Sequence, residues 1–245
     1  MPAETTPPQP PPEARFATTR WSVVLAAGTN NTQAGVALAE LCRLYWYPLY
    51  AFVRRQGHSP HDAQDLTQEF FARLIEKEWL GDVAQERGRF RSWLLASMRH
   101  FLANEWNRLR TQKRGGGAAV VSLDETDAEG RYLHEPAAVT DAEQLFDRRW
   151  AMTLLDGVMT RLQAEMQSAG KTAQFDAMKT ALIGGAIDYA QLAARLGMKE
   201  GAVRVAVHRL RERYRELLRA AVAETVESPA EIDTELRHLF AALSV

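Results

Sequence analysis

The chain has a single cysteine, Cys42. An intramolecular disulfide is therefore excluded, and a reducing compartment is the natural reading. Cys42 itself reads as a small buried apolar residue. Long hydrophobic runs are missing too. No stretch approaches the roughly 18 to 20 apolar residues a membrane span needs. The opening "MPAETTPPQPPPEARF" has neither the basic start nor the apolar run of a secretory signal. Its prolines favour an extended, solvated tail with no core of its own. Alternating β-type runs are absent apart from a brief "AAVVSL" at 118–123, and no internal repeat is visible.

Net charge is nearly absent as well, with 30 Lys and Arg against 31 Asp and Glu, but its distribution is uneven. Gln85 to Arg114 holds eight basic residues against two acids; Arg195 to Arg219 holds eight against three. Between them, Ser122 to Asp147 holds eight acids and one Arg, and the segment from Ala223 to Val245 is acidic again. Two basic blocks separated by an acidic connector suggest two modules that both approach a polyanion.

The organisation reads as all-α. Apolar residues recur at helical spacing from about Thr32 to Leu109, "GGG" at 115–117 breaks the chain, and a second helical block runs from about Asp141 to Ala223. Ser228 and Pro229 suit the cap and first position of a last short helix. The expected layout is a Pro-rich tail at 1–20, a helical domain at 21–114, a flexible acidic linker at 115–144, a helical domain at 145–222 and a tail at 223–245.

The most specific local pattern is "DYAQLAARLGMKEGAVRVAVHRLRERYRELL", 188–218. A helix-turn-helix needs a small residue where its helices touch, a Gly in the turn and a branched apolar residue locking the second helix. Ala193, Gly197 and Val203, at i, i+4 and i+10, fill those roles. Val203, Val207, Leu210, Tyr214 and Leu217 share one face. Gly201, Arg204, Val205, His208 and Arg209 point away from it, where a recognition helix meets a major groove. Arg204 is the candidate for a base edge; Arg209, Arg211 and Arg213 are candidates for phosphates.

In "HSPHDAQDLTQEFFARLIEKEWL", 58–80, Ser59 reads as an N-cap, Pro60 as the first helical residue and Asp62 as the acid of a capping box. Ala63, Leu66, Phe70 and Leu74 form an apolar stripe; Asp62, Asp65, Glu69 and Glu76 lie on an adjoining one. Spacing alone makes such acids a solvated face. Next, "ERGRFRSWLLASMRHFLANEWNRLRTQKRGGG" mixes Phe90, Trp93, Phe101 and Trp106 with Arg87, Arg89, Arg91, Arg99, Arg108 and Arg110. Aromatics can stack on unpaired bases while arginines follow the backbone, although Trp93 and Phe101 read more simply as core.

These stretches resemble the bacterial sigma-70 family of RNA polymerase sigma factors, in the small extracytoplasmic-function (ECF) group. "DAQDLTQEFF" resembles region 2.2, "FRSWLLASMRHFLANEWNRLR" regions 2.3 and 2.4, and "DYAQLAARLGMKEGAVRVAVHRLRERYRELL" region 4.2. The resemblance covers about 34–114 and 145–220. It implies a region 2-like helical bundle and a region 4-like helix-turn-helix. It implies docking on core RNA polymerase, on the β′ clamp through Asp62, Asp65 and Glu69 and more weakly through region 4, with the β flap as the further partner surface. It further implies recognition and melting of the −10 promoter element by Arg89, Phe90, Arg91, Trp93, Asn104, Arg108 and Arg110. Lys199, Glu200, Arg204, His208, Arg209 and Arg211 would read the −35 element. The expected setting is cytoplasmic, without a membrane partner, catalytic residues or a cofactor, since nucleotide addition belongs to the polymerase. An anti-sigma factor or a Ser/Thr kinase is a candidate regulator.

The sequence departs from the family pattern at two places. Gln64 stands where an acid is usual, so the docking face is one charge thinner. Thr67 stands where Val is common; a phosphate there would restore charge, which makes Thr67 a candidate phosphosite, although the wheel puts it on the apolar flank. Two other classes compete. A helix-turn-helix regulator that is not a polymerase subunit would give "DAQDLTQEFF" no task. A metal phosphohydrolase could start from His61-Asp62, but His58, His100, His134, His208 and His238 show no supporting spacing.

Overall fold

A computed structural model describes residues 32–75, 90–111, 125–133, 141–182, 184, 187–226 and 228–244. The Pro-rich tail, Arg89, "GGG" and "AAVVSL" lie outside the described residues, as do the side chains of Arg108 and Arg110. All regular structure among the described residues is helical.

Helix α1, Thr32–Arg55, is the centre of the molecule. From Tyr45 to Phe52 its apolar residues are buried on every side; Tyr45, Leu49, Ala51 and Val53 have no exposed surface. A helix apolar all round must be covered all round. Helix α2, Pro60–Ile75, is one cover. Gly57, at φ 96°, ends α1, and Gln56 N–H donates to the carbonyls of Phe52 and Val53. The Ser59 cap forms as expected: Asp62 N–H donates to Ser59 Oγ at 3.1 Å, and Ser59 Oγ donates to the Asp62 carboxylate at 2.7 Å. Helix α3, Phe90–Thr111, packs Phe90, Leu94, Met98 and Phe101 inward.

The segment expected as a free linker carries a helix of its own, α4, Glu125–Leu133. Glu129 accepts from Tyr50 Oη at 2.5 Å and from Arg54 Nη2 at 2.7 Å, both on α1. The Arg131 guanidinium lies 3.8 Å from the Tyr47 ring. Hydrogen bonding from Arg54 holds the Glu129 carboxyl below the usual range. A depressed carboxylate stabilises above its unfolded pKa and loses that contribution as pH falls through the folded one. Docking of α4 on α1 is therefore expected to weaken in acid, and Glu129→Gln to remove that dependence. Tyrosine fluorescence followed against pH checks this.

Helix α5, Ala142–Ser168, is about 40 Å long at 1.5 Å per residue. The Asp141 side chain caps it, accepting from Glu143 N–H at 3.0 Å. Phe146, Trp150, Leu154, Val158 and Leu162 form a ridge at every fourth position, all buried. Its first half packs on α1. Helices α6 (Thr172–Met178), α7 (Tyr189–Leu196), α8 (Glu200–Ala223) and α9 (Ile232–Leu243) follow, with short 3-10 turns at Lys179–Leu182 and Pro229–Glu231; α6, α8 and α9 pack on α5. The buried apolar residues form one cluster from Cys42 to Leu239. Phe146 of α5 stacks on Tyr45 of α1, and Trp150 lies in the same cluster.

The helix-turn-helix is α7 and α8. Asp188 caps α7 by accepting from Gln191 N–H at 3.0 Å. Gly197 takes the left-handed conformation at φ 63°, and Met198 N–H returns to the Ala193 carbonyl at 3.0 Å. Ala193 and Val203 are buried, as their roles require. A Cβ at Gly197 would meet nothing within 4 Å, so only the backbone conformation demands glycine. Gly197→Ala is expected to cost about 1 kcal/mol, readable by urea unfolding.

Candidate docking and nucleic-acid interfaces

The outer face of α2 carries the acids. Asp62 and Asp65 are exposed, and Asp65 lies 3.0 Å from His61 Nδ1 one turn earlier. Glu69 differs: it is half-buried and bound at 2.5 Å by Arg73, which also reaches Glu105 on α3 at 2.8 Å and stacks on the Phe101 ring. Glu105 is itself buried. Arg73 thus braces α2 against α3 and neutralises Glu69. Two carboxylates, not three, face outward without that brace. Composition could not separate Glu69 from the others, because the Glu105 carboxylate that fixes its partner Arg73 lies 32 residues further along the chain.

Thr67 lies on the inner side of α2. It has no exposed surface, and its hydroxyl donates to the Ala63 carbonyl at 2.7 Å. A phosphate, carrying nearly two negative charges, has no solvent there. In this packing Thr67 is a core residue of α2.

On α3 the residues expected to capture the −10 strand divide. Phe90 is interior, with its ring centroid 5.1 Å from that of Tyr45. Arg91 is also interior: it pairs with Asp147 of α5 and, at 3.1 Å, with Glu235 of α9, and lies 4.6 Å from the Trp150 ring. Neither faces solvent in this arrangement of the free chain. The reason is tertiary: the two carboxylates on Arg91 lie 56 and 144 residues away, and Phe90 packs on Tyr45 of α1. Trp93 is half-buried against Phe90. Asn104 is exposed, as are His100 and Ala103. Trp106, one of the aromatics of this basic block, is 61% exposed on the same helix. An exposed indole beside a basic run is a ready stacking platform.

On α8, Glu200, Arg204, His208 and Arg209 are exposed, and Lys199 caps the helix entry. Arg204 is held by Glu200 at 2.6 Å and lies 4.2 Å from the Tyr189 ring. The pair is solvent-exposed, so releasing the guanidinium to another acceptor costs only about 0.5 kcal/mol. His208 Nε2 lies 3.2 Å from Glu212. Val205, 50% exposed, sits among them and offers an apolar contact of the kind a thymine methyl accepts. Arg211 differs: both its Nε and Nη2 donate to the Ala181 carbonyl, at 3.1 and 2.9 Å, so in the free chain it braces the fold. Arg213 is bound by Glu165 of α5 and Glu216, and that hydrogen bonding raises its pKa.

His61, the start of the metal reading, is a surface residue of the first turn bonded to Asp65. Among the described residues no three His, Cys, Asp or Glu side chains stand together as a metal site. Likewise, none of the described helices is long and apolar enough to cross a membrane.

Comparison with known proteins follows the same geometry. The sigma-70 region 2 family pattern matches residues 43–114, from within α1 through α2 and α3. Over 200 residues the chain is 27% identical to the ECF RNA polymerase sigma factor SigE of Mycolicibacterium smegmatis, covering 82% of this chain and 68% of that protein. No solved structure matches.

Proposed function

We propose, from the premise that this chain belongs to the sigma-70 family and is an RNA polymerase sigma factor of the ECF type, that it docks on core polymerase through the outer face of α2. Asp62 and Asp65 supply the charge, and the β′ clamp is the surface they meet. The carrying observation is that these carboxylates are exposed on a rigidly capped helix inside the matched region. Electrostatic complementarity on such a face sets encounter rate and register more than raw affinity. The β flap is the expected second contact, through the α6–α8 half.

The α8 face of Lys199, Glu200, Arg204, His208 and Arg209 reads the −35 element. Asn104, Trp106 and Trp93 on α3 meet the separated −10 strand, together with Arg89, Arg108 and Arg110. Chemistry at the nucleotide belongs to the polymerase, and this chain positions the promoter. Trp106→Ala is expected to weaken open-complex formation by about tenfold, from roughly 1–3 kcal/mol of lost stacking, while leaving core binding unchanged. Permanganate reactivity of thymines near the start site checks it.

The reading is tested by transcription. Core polymerase from the same host is supplied with genomic DNA, with and without the chain. The expected result is a new set of start sites sharing an upstream pair of elements. Transcripts identical to those of core alone would contradict it. Affinity for promoter DNA should fall steeply with salt, as arginine–phosphate contacts release counterions.

A further inference from the structure

Arg91 is an arginine of the nucleic-acid-facing helix that faces inward. It is 6% exposed at the second position of α3, and its guanidinium meets two carboxylates and one indole face. Asp147 comes from α5 and Glu235 from α9, the latter with no exposed surface. One turn-pair further along α3, Arg99 is bound by Glu143 of α5. Both acidic segments of the chain, connector and C-terminal helix, thus place carboxylates on arginines of the basic block.

A buried ion cluster is a poor way to make a permanent junction, because desolvation offsets most of its attraction and apolar side chains do as well. Its distinguishing property is exchange. A guanidinium fork fits a phosphate as it fits a carboxylate. We propose that Asp147 and Glu235 act as intramolecular phosphate surrogates: α5 and α9 cap the head of α3 in the free chain, and docking on core polymerase opens the cap so that Arg91 and Phe90 reach the promoter strand. The occupant of this surface is the chain's own C-terminal helix. The proposal rests on the sigma reading for its trigger, but the closed state is a property of the free protein.

The test uses the full chain with dyes on Ala103→Cys of α3 and Ala241→Cys of α9, both exposed positions. Native Cys42 does not interfere, since burial pushes its thiol up to about 12. Energy transfer is read in the free protein and with core polymerase, and dye anisotropy reports core binding separately. Asp147→Asn, at the solvent edge of the cluster, is the unlatching variant. Arg91→Met keeps the apolar packing and removes the fork. Circular dichroism verifies that each is folded. The expected results are high transfer in the free wild type, at least a twofold drop on core binding, and lower transfer in free Asp147→Asn. That variant should also bind a dT20 oligonucleotide about fivefold tighter at low salt, whereas Arg91→Met should not. Unchanged transfer and dT20 affinity in folded Asp147→Asn overturns the latch, as does a rise in anisotropy with no fall in transfer. Absence of an anisotropy rise contradicts the sigma reading instead, and the free-chain comparison still decides the latch.

Discussion

Thr67→Glu is expected to unfold the packing of α2 rather than to strengthen docking. The side chain it replaces has no exposed surface, and its hydroxyl is already satisfied by Ala63. Ala63, Phe70 and Leu74 of the same helix are fully buried. A carboxylate placed among them is buried with apolar neighbours, and burying a charge there costs several kcal/mol. A loss of about 3–5 kcal/mol is expected, a large share of the 5–15 kcal/mol that holds a typical domain. Urea unfolding followed by far-UV circular dichroism reads it. Thr67→Val, which keeps shape and loses one hydrogen bond, should cost about 1 kcal/mol and leave core binding at the wild-type value. A stable Thr67→Glu protein with tighter polymerase binding would reverse the assignment of Thr67 to the core.

The second large effect is at Trp150. Its indole is fully buried on α5, beneath the Arg91 guanidinium at the meeting of α3, α5 and α9. Tyr45 of α1 stacks on Phe146 one turn before it, with ring centroids 6.4 Å apart. Trp150→Ala removes the largest side chain of this junction, and the long helices around it can collapse only in part. A cost of about 3–5 kcal/mol is expected. Because one apolar cluster joins both halves, the loss should appear as a single unfolding transition at lower urea. Two resolved transitions in the wild type, with Trp150→Ala affecting neither, would show that the halves are energetically separate.

Local rules explain what was readable in advance. The α2 cap needs only Ser59 and Asp62. The helix-turn-helix needs only Ala193, Gly197 and Val203, and all three occupy the expected places because turn chemistry is decided within a few residues. Distant pairings were not readable. Arg91 and Arg211 carry the residue types of an interface, yet each is occupied by a group far along the chain, Glu235 and the Ala181 carbonyl, while Glu69 is held by Arg73 of its own helix, which Glu105 of α3 anchors in turn. The connector illustrates the same limit. Its acids suggested a solvated linker, whereas Glu129 finds Tyr50 and Arg54 on α1 and Tyr132 lies 4.7 Å under Arg54. Polar composition measures what a segment can pair with, and only the fold supplies the partner.

These pairings narrow the proposed docking face to Asp62 and Asp65, and equilibrium binding to purified core RNA polymerase tests that most directly. Wild type is compared with Asp62→Asn/Asp65→Asn and with Glu69→Gln, all shown folded by circular dichroism. The account predicts tight binding by wild type, a loss of at least tenfold in the double variant and less than threefold in Glu69→Gln. Wild-type affinity in the double variant, or no binding by the unmodified wild type, would contradict it.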